Sequence, residues 1–504
     1  MIRRVRTENG WVRGLPAADP RITSYKGIPF AAPPVGENRW RAPQPCKDWE
    51  GELFAADFGP IAMQANCAGD PAKDIYAREW AVDAELPMSE DCLYLNVWAP
   101  ADGRKNLPVY VWYFGGGLQV GNTTEMEFDG ERIARRGIVV VTVGYRLNCF
   151  GFLCHPEITA QQPEAPANFG FLDQQCATRW VKRNIAAFGG DPENITIGGQ
   201  SAGGMSVCAQ MTSPTNQGLF RRAIVESGTF TQPYGSKMGL RPRSMAECEA
   251  LGVAFFEKLG VKTLAEARAL PARVVEDASL AMPWGIWGEA VDGVFSCYPS
   301  GEWYLHPERN ICPVMLGQTS TEFTALPPAE DEESLAAFAR EQFGEDAEAF
   351  LSFFSHPANK ESIAREGLQH AIGFAIRAAE AANRRNGVGQ PLYAYNFDAE
   401  IPGWDHPGTF HSVDLWFFFE TLAKCWRPFT GKHYDLARSM CDYWVNFIRS
   451  GDPNGLDSQG KELPLWPALN GDAPAWMVFR DGASLNRWEP TPLEAFLLRH
   501  SFKD

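Results

Sequence analysis

Long apolar runs are absent from this 504-residue sequence. No segment approaches the roughly 18 consecutive apolar residues by which a membrane-spanning helix is recognised. The first residues, Met1 to Arg6, are basic, but polar residues follow them instead of the apolar stretch of a signal peptide. These absences predict a cytoplasmic protein.

An excess of positive charge is also missing. Lysine and arginine number 46 and aspartate and glutamate 62, which gives a formal net charge of −16. Because no spare cations are available to neutralise phosphates, we expect neither a nucleic-acid partner nor attachment to an anionic membrane. The twelve cysteines include no C-x-x-C pair, so we predict no zinc site and no other metal site.

Apolar strands alternate with helical segments along the chain. Strands are predicted at residues 89–98, 108–113, 138–145, 195–197, 223–225, 313–317, 391–397 and 475–479. Helical segments are predicted at residues 171–188, 245–285, 333–386, 433–450 and 492–500, and a proline-rich loop at residues 25–36. This alternation predicts an α/β fold, in which helices cover both faces of a mostly parallel, twisted sheet. We expect a single domain over residues 1–504, with helical lid or cap insertions near 245–285 and 333–386.

The most informative stretch is Gly199-Gln200-Ser201-Ala202-Gly203-Gly204, which follows the short apolar run at Ile195 and Ile197. A Gly-x-Ser-x-Gly pattern between a strand and a helix is typical of a nucleophile elbow, a sharp turn that exposes the serine hydroxyl. Small residues two positions before and after the serine avoid a steric clash in that turn. Ser201 is therefore the predicted nucleophile.

A serine nucleophile needs a base, an acid that orients the base, and donors for the developing oxyanion. In strand–turn–helix folds of this kind the acid and then the histidine follow the serine in the chain. Glu322, five residues beyond Gly317 at the end of a predicted strand, is the predicted acid. Of the later histidines, His406 and His411 lie after the strand at 391–397; His406 adjoins Pro407 and is typical of a turn. The residues alone leave His411 open between a catalytic and a structural role.

Three glycines, Gly115 to Gly117, directly follow the predicted strand at 108–113. Side chains at these positions would keep backbone amides away from a substrate oxygen, so glycine suits an oxyanion-binding loop. Flexible loops have the same composition, and the tripeptide is weak evidence by itself.

Several motifs together resemble one family. They are Lys26-Gly27-Ile28-Pro29, Ser89-Glu90-Asp91-Cys92-Leu93, Asn168-x-Gly170-x-x-Asp173-Gln174, Phe188-Gly189-Gly190-Asp191-Pro192, the Ser201 motif and Gly451-Asp452-Pro453-Asn454. Across nearly its whole length the chain resembles the type-B carboxylesterases of the α/β-hydrolase superfamily, which include bacterial carboxylesterases and cholinesterases.

The resemblance implies the α/β-hydrolase fold and a catalytic triad of Ser201, Glu322 and His411. It also implies an oxyanion hole formed by the backbone amides of Gly116, Gly117 and Ala202, with no cofactor. The chain departs from the family pattern at Phe114, Thr321, Phe323 and Asp414. These departures concern substrate preference and the surroundings of the triad, where Ser227 and Asp414 are the predicted supporting residues.

The predicted substrate pocket is rich in apolar and aromatic side chains, namely Trp80, Phe114, Leu118, Trp416 and Phe417. Such a pocket favours neutral short- to medium-chain alkyl or aryl esters through burial of about 0.8 kcal/mol per methylene. Trp80 lies in the loop where cholinesterases place a tryptophan against a quaternary ammonium group. Because the surrounding sequence matches poorly, we expect Trp80 to line the pocket wall or pack in the core.

Cys67 and Cys92 match a pair that is disulfide-bonded in many secreted relatives, and in a cytoplasmic protein we expect both to be reduced. The predicted function is hydrolysis of a small-molecule ester through an acyl-enzyme. Two alternatives are acyl transfer to an alcohol other than water, and a non-catalytic interaction protein on the same fold. The sequence does not determine the oligomeric state.

Overall fold

The computed structural model describes residues 1–65, 70, 72–80, 83, 85–229, 233–234, 242–306, 308–469, 474–487 and 489–501. Cys67 lies outside the described residues, and the predicted Cys67–Cys92 relationship therefore stays a prediction. Among the described residues, no helix is long and apolar enough to cross a membrane.

The strands of the described residues are β1 Arg4–Thr7, β2 Gly10–Arg13, β3 Leu15–Pro16, β4 Ile22–Pro29, β5 Glu52–Phe54, β6 Tyr94–Pro100, β7 Leu107–Tyr113, β8 Val139–Val143, β9 Gly190–Gln200, β10 Arg222–Glu226, β11 Arg243–Ser244, β12 Ala290–Val291, β13 Val314–Thr319, β14 Thr324–Ala325, β15 Gln369–His370, β16 Leu392–Phe397, β17 Ala475–Phe479 and β18 Ala483–Arg487. The helices are α1 Ile75–Glu79, α2 Glu131–Arg135, α3 Asn148–Phe152, α4 Pro156–Gln161, α5 Phe169–Asn184, α6 Ala202–Thr212, α7 Met245–Leu259, α8 Leu264–Ala269, α9 Ala272–Leu280, α10 Glu332–Phe343, α11 Ala347–Leu351, α12 Lys360–Gly367, α13 Ala371–Arg385, α14 Leu415–Phe418, α15 Gly431–Ser450 and α16 Pro492–His500.

One large sheet organises the molecule. Its strand order is β18-β17-β16-β13-β10-β9-β7-β8-β6-β4-β3. The strands from β17 through β8 in this order pair in parallel, and antiparallel strands complete both edges. The central strands β7 and β8 are buried along their whole length, as expected where helices cover both faces of a parallel sheet. The predicted fold class is confirmed.

The topology brings the candidate catalytic residues to the end of this sheet at which the parallel strands have their carboxyl ends. The carboxyl ends of parallel strands lie on the same side. Strand β7 leads into the three glycines, β9 into Ser201, β13 into Glu322 and β16 into the loop of His411. Segments that are more than 200 residues apart therefore converge, since β7 pairs with β9 and β10 lies between β9 and β13.

Some sequence predictions of local structure were wrong. Residues 25–29 belong to strand β4 and not to a loop, because a register shift between Tyr25 and Ile28 accommodates Gly27 at φ +68°. The strand predicted from Ser89 begins only at Tyr94, since Ser89 Oγ accepts the backbone N–H of Asp91 in a tight turn. Strand β18 at the sheet edge was not predicted.

The two predicted insertions differ in how they pack. Within residues 245–285, helix α9 packs on α3 and α7 packs on α9, and the guanidinium of Arg39 donates to the carbonyl groups of Ala267 and Leu270. Within residues 333–386, helices α10 to α12 form a separate apolar cluster with α16, whereas α13 packs on β13 of the main sheet. The role of these segments as lids stays a prediction.

Candidate active site

Ser201 occupies a strained turn between β9 and α6. Its backbone has φ +55° and ψ −124°, outside the regions that ordinary residues adopt. The Ser201 N–H donates to the carbonyl oxygen of Glu226 at 2.8 Å, and its own carbonyl accepts the N–H of Met205 at 2.9 Å. A Cβ atom at Gly199 would overlap the backbone of Gly203, so only glycine fits the turn. The structure thus places Ser201 in the geometry that the Gly-x-Ser-x-Gly spacing predicts.

His411 and Glu322 lie together at the carboxyl edge of the sheet. Nδ1 of His411 is 2.7 Å from Oε2 of Glu322, and both residues are 8% exposed. The backbone holds their loops together, because Thr321 forms an isolated parallel bridge with Phe410. With Nδ1–H donated to the carboxylate, Nε2 of the neutral ring is an acceptor.

Ser201 is not hydrogen-bonded to His411 in the described arrangement. Nε2 of His411 instead lies 3.3 Å from Nε2 of Gln200, the residue before the serine. In enzymes without substrate, catalytic hydrogen bonds are often long and tighten only when substrate binds.

The carboxylate of Glu322 has further donors. Ser227 Oγ donates to Oε1 at 2.5 Å, and the backbone N–H and hydroxyl of Thr319 each lie 3.2 Å from the same oxygen. Ser227 was predicted to support the triad, whereas Thr319 was missed. A threonine at the end of a strand carries no local signal of this contact.

The charges around His411 favour its protonated form. Burial lowers the pKa of His411, but the charge and hydrogen bond of Glu322 and the charge of Asp414 outweigh burial, so that its pKa is raised above the ordinary value. Asp414 is fully buried and accepts the hydroxyl of Tyr395 at 2.8 Å. Burial raises the pKa of Asp414 to about 6.

The glycine loop packs directly on the serine. A Cβ atom at Gly115 would lie 2.8 Å from the carbonyl oxygen of Gln200 and 3.2 Å from Cβ of Ser201. Gly116 and Gly117 both have positive φ angles, +105° and +65°, which a side chain would strain. Ala202, the third predicted oxyanion residue, is the first residue of helix α6. The structure therefore brings all three predicted oxyanion residues into the segments next to Ser201.

The predicted pocket residues are mostly core residues. Phe114, Leu118, Trp416 and Phe417 are buried, and Phe114 stacks on Tyr145 with ring centroids 4.3 Å apart. Half-buried Trp80 stacks on Trp416 with centroids 5.4 Å apart. The role of these residues as pocket walls stays a prediction.

Two exposed aromatic side chains beside the candidate site were not among the predicted pocket residues. Trp284 is 65% exposed, and its ring lies 3.3 Å from where a Cβ atom of Gly117 would be. Phe323 is 40% exposed, and its ring centroid is 4.7 Å from that of His411. Trp284 lies in the irregular segment between α9 and β12, where no sequence pattern indicated proximity to the glycine loop.

Comparisons with known proteins identify the family of this chain. The sequence model of the carboxylesterase family matches residues 2–489. The chain is 33% identical to the medium-chain fatty acyl-CoA hydrolase precursor of Anas platyrhynchos, over 92% of this chain and 86% of that protein. It is 30% identical to para-nitrobenzyl esterase of Bacillus subtilis (strain 168), over 92% of each.

A solved structure of a PNB esterase superposes on this fold with a TM-score of 0.80, at 28% identity and over 99% of both chains. The family match spans nearly the whole chain, and the relatives are hydrolases of esters and thioesters. The chain therefore belongs to the carboxylesterase family, and it is a carboxylic ester hydrolase.

Proposed function

We propose that this protein is a serine esterase that works by two-step acyl transfer. Ser201 attacks the ester carbonyl while His411 accepts its proton, and His411 then returns that proton to the leaving alcohol. Water, deprotonated by the same histidine, hydrolyses the acyl-enzyme. The observation that carries this proposal is the 2.7 Å contact between His411 and Glu322 at the sheet edge where strained Ser201 also lies.

Glu322 keeps the imidazole in the tautomer with Nε2 free to accept a proton, and its charge stabilises the imidazolium that forms. The backbone amides of Gly116, Gly117 and Ala202 bind the oxyanion of the tetrahedral intermediate. Two features support this role: the glycine loop packs on Ser201, and Ala202 begins helix α6. Removal of one such donor typically costs about 10²–10³ in rate.

The substrates are neutral short- to medium-chain alkyl or aryl esters. The exposed rings of Trp284 beside Gly117 and of Phe323 beside His411 support this class. Burial of apolar substrate groups against these rings stabilises binding, and the rings carry no charge that would attract an ionic substrate. One face of Trp80 is covered by Trp416, which reduces its capacity to bind a quaternary ammonium group.

The helical segments near 245–285 and 333–386 act as caps around the site. Trp284, at the end of the first segment, reaches Gly117. The second segment starts beyond Glu322 and returns to it, since the backbone N–H of Ala371 donates to the carbonyl of Phe323 at 3.0 Å. Both segments are therefore anchored beside residues of the proposed site.

The nucleophile is tested with Ser201→Ala. A fluorophosphonate probe labels the wild type but not the variant, and the variant keeps its fold and loses ester turnover. Labelling elsewhere, or normal turnover by the variant, contradicts the proposal.

The substrate class is tested by kcat/KM for p-nitrophenyl acetate, butyrate and palmitate beside acetylcholine. Preference for acetylcholine, or for palmitate over butyrate, contradicts the proposed pocket.

The protein acts in the cytoplasm on small molecules. No two of the described cysteines are joined by a disulfide bond, and Cys92 is among the buried ones. Thiol titration under denaturing, non-reducing conditions is expected to count all twelve cysteines of the sequence as thiols. A count of two fewer indicates a disulfide and an oxidising compartment.

A further inference from the structure

Glu226, the last residue of β10, lies between the segment of Ser201 and the carboxylate of Glu322. Its backbone carbonyl accepts the N–H of Ser201 at 2.8 Å, and the next residue, Ser227, donates to Glu322. The Glu226 side chain is fully buried, with Oε1 accepting the indole N–H of Trp444 at 2.7 Å. Its second oxygen, Oε2, has no hydrogen-bond partner among the described residues.

A second buried carboxyl group lies near it. Asp414 accepts the hydroxyl of Tyr395 through Oδ2, and Oδ1 has no partner within the described part of the chain. The groups that face the two carboxyls come from every neighbouring element: the phenol of Tyr110 on β7, the phenol of Tyr395 on β16, the indole of Trp444 on α15, and Glu322 and His411 in their loops.

No lysine or arginine among the described residues balances a negative charge on Glu226. Among the described residues, none pairs with Glu226, and the groups that act on it are Asp414 and Trp444. Two carboxylates that lie near each other in a dry interior cannot both ionise without a large cost, because burial and mutual repulsion both disfavour the second charge.

We propose that Glu226 is a positioning residue of the catalytic centre that stays a neutral carboxylic acid, so that Asp414 is the charged member of this pair of carboxyl groups. The assignment of the neutral member follows from the surroundings. Asp414 has the like charge of Glu322 nearby but also the imidazole of His411, whereas Glu226 has a neutral donor, the Trp444 indole, and the like charge of Asp414. Burial, together with the charge of Asp414, raises the pKa of Glu226 well above its ordinary value.

This inference rests on the proposed roles of Ser201, Glu322 and His411, and it has a consequence for them. Asp414 raises the pKa of His411 through its charge. A neutral Glu226 supports the backbone of Ser201 without adding a further charge that would hold the histidine protonated and inactive as a base. The acid limb of the pH profile then reports the pKa of His411, on which the charges of Glu322 and Asp414 act and a charge on Glu226 does not.

The first test uses stability and does not depend on activity. The folded wild type keeps a proton on Glu226 that the unfolded chain loses above its ordinary pKa, and its stability therefore falls as pH rises. Glu226→Gln has no such proton. Relative to Glu226→Gln, the wild-type unfolding equilibrium constant is expected to increase up to about tenfold per pH unit between about pH 5 and pH 8. A difference that is constant over this range overturns the proposal.

The second test uses the acid limb of kcat/KM for p-nitrophenyl butyrate. Glu226→Gln is expected to keep the limb of the wild type, whereas Asp414→Asn moves it to lower pH because it removes a charge that favours the imidazolium. A shift of the limb by Glu226→Gln comparable to that of Asp414→Asn overturns the proposal. Failure of the triad itself is recognised separately, by ester turnover in Ser201→Ala.

Glu226→Met is a second neutral variant of similar length. If Glu226→Gln does not fold, Glu226→Met is expected to fold, to keep the acid limb and to show the same pH-dependent stability difference. If neither neutral variant folds, the structure requires the carboxyl group itself, and the proposal that Glu226 acts as a neutral group that an uncharged side chain can replace is overturned.

Discussion

The inner and outer sides of the site are built differently. On the inner side, Glu322 and His411 are each 8% exposed, and hydrogen bonds from Ser227, Thr319 and His411 hold the carboxylate. On the outer side, Trp284 is 65% exposed and Phe323 40% exposed.

This difference separates the residues proposed for catalysis from those proposed for substrate selection. The inner groups follow the ends of paired strands, so the sheet determines their positions, and burial strengthens their electrostatic interactions. Trp284 lies on an irregular segment outside the sheet, where sequence can vary at little cost to the fold. We therefore expect changes on the inner side to alter rate and pH dependence for all substrates, and changes on the outer side to alter preference among substrates.

The largest effect is expected for Glu322→Gln on the inner side. The amide cannot stabilise the imidazolium and favours the wrong tautomer of His411, and kcat for p-nitrophenyl butyrate is expected to fall about 10⁴-fold. Ser227→Ala removes one donor to Glu322 and is expected to cost about 10-fold to 100-fold. Equal losses in the two variants, at unchanged folding, would show that Glu322 acts through Ser227 and not on His411.

A smaller effect is expected for Gln200→Glu, which places a carboxylate near Nε2 of His411. The new negative charge favours the imidazolium and raises the pKa of His411 further, so the neutral base appears only at higher pH. The acid limb of kcat/KM is expected to move upward by about one pH unit. Gln200→Met, which adds no charge, serves as the control and keeps the wild-type limb; an unmoved limb in Gln200→Glu contradicts the placement of this side chain.

The smallest effect is expected for Trp284→Ala on the outer side. The loss of apolar surface lowers kcat/KM for p-nitrophenyl butyrate about 10-fold while that for acetate changes little, since acetate offers fewer methylenes to bury. Trp404→Ala is the matched control, because Trp404 is 67% exposed but packs on Trp426. An equal loss of kcat/KM for both esters would contradict a role of Trp284 in substrate preference and would indicate that it affects the rate for all substrates.

The inner side was largely predictable. The Gly199-x-Ser201-x-Gly203 spacing indicates a tight turn that has no room for larger side chains. The glycines at 115–117 indicate a loop whose backbone amides are not covered by side chains. Glu322 was predicted because it follows the strand at 313–317 and because the acid follows the serine in the chain order of this fold. The catalytic role of His411 was preferred over a structural role only on the basis of the family resemblance. The end of strand β4 was missed because Pro29, Pro33 and Pro34 make residues 25–36 typical of a loop.

The sequence by itself determined the fold class, the strained turn at Ser201 and the family, because apolar periodicity and turn sterics act between residues close in the chain. Only the tertiary structure decided that Thr319 donates to Glu322, that Trp284 lies over Gly117 and that the carboxyl of Glu226 is buried near Asp414. These contacts join segments brought together by sheet pairing and by the packing of insertions. Their energies depend on burial and on neighbouring charges, which no local pattern of residues records.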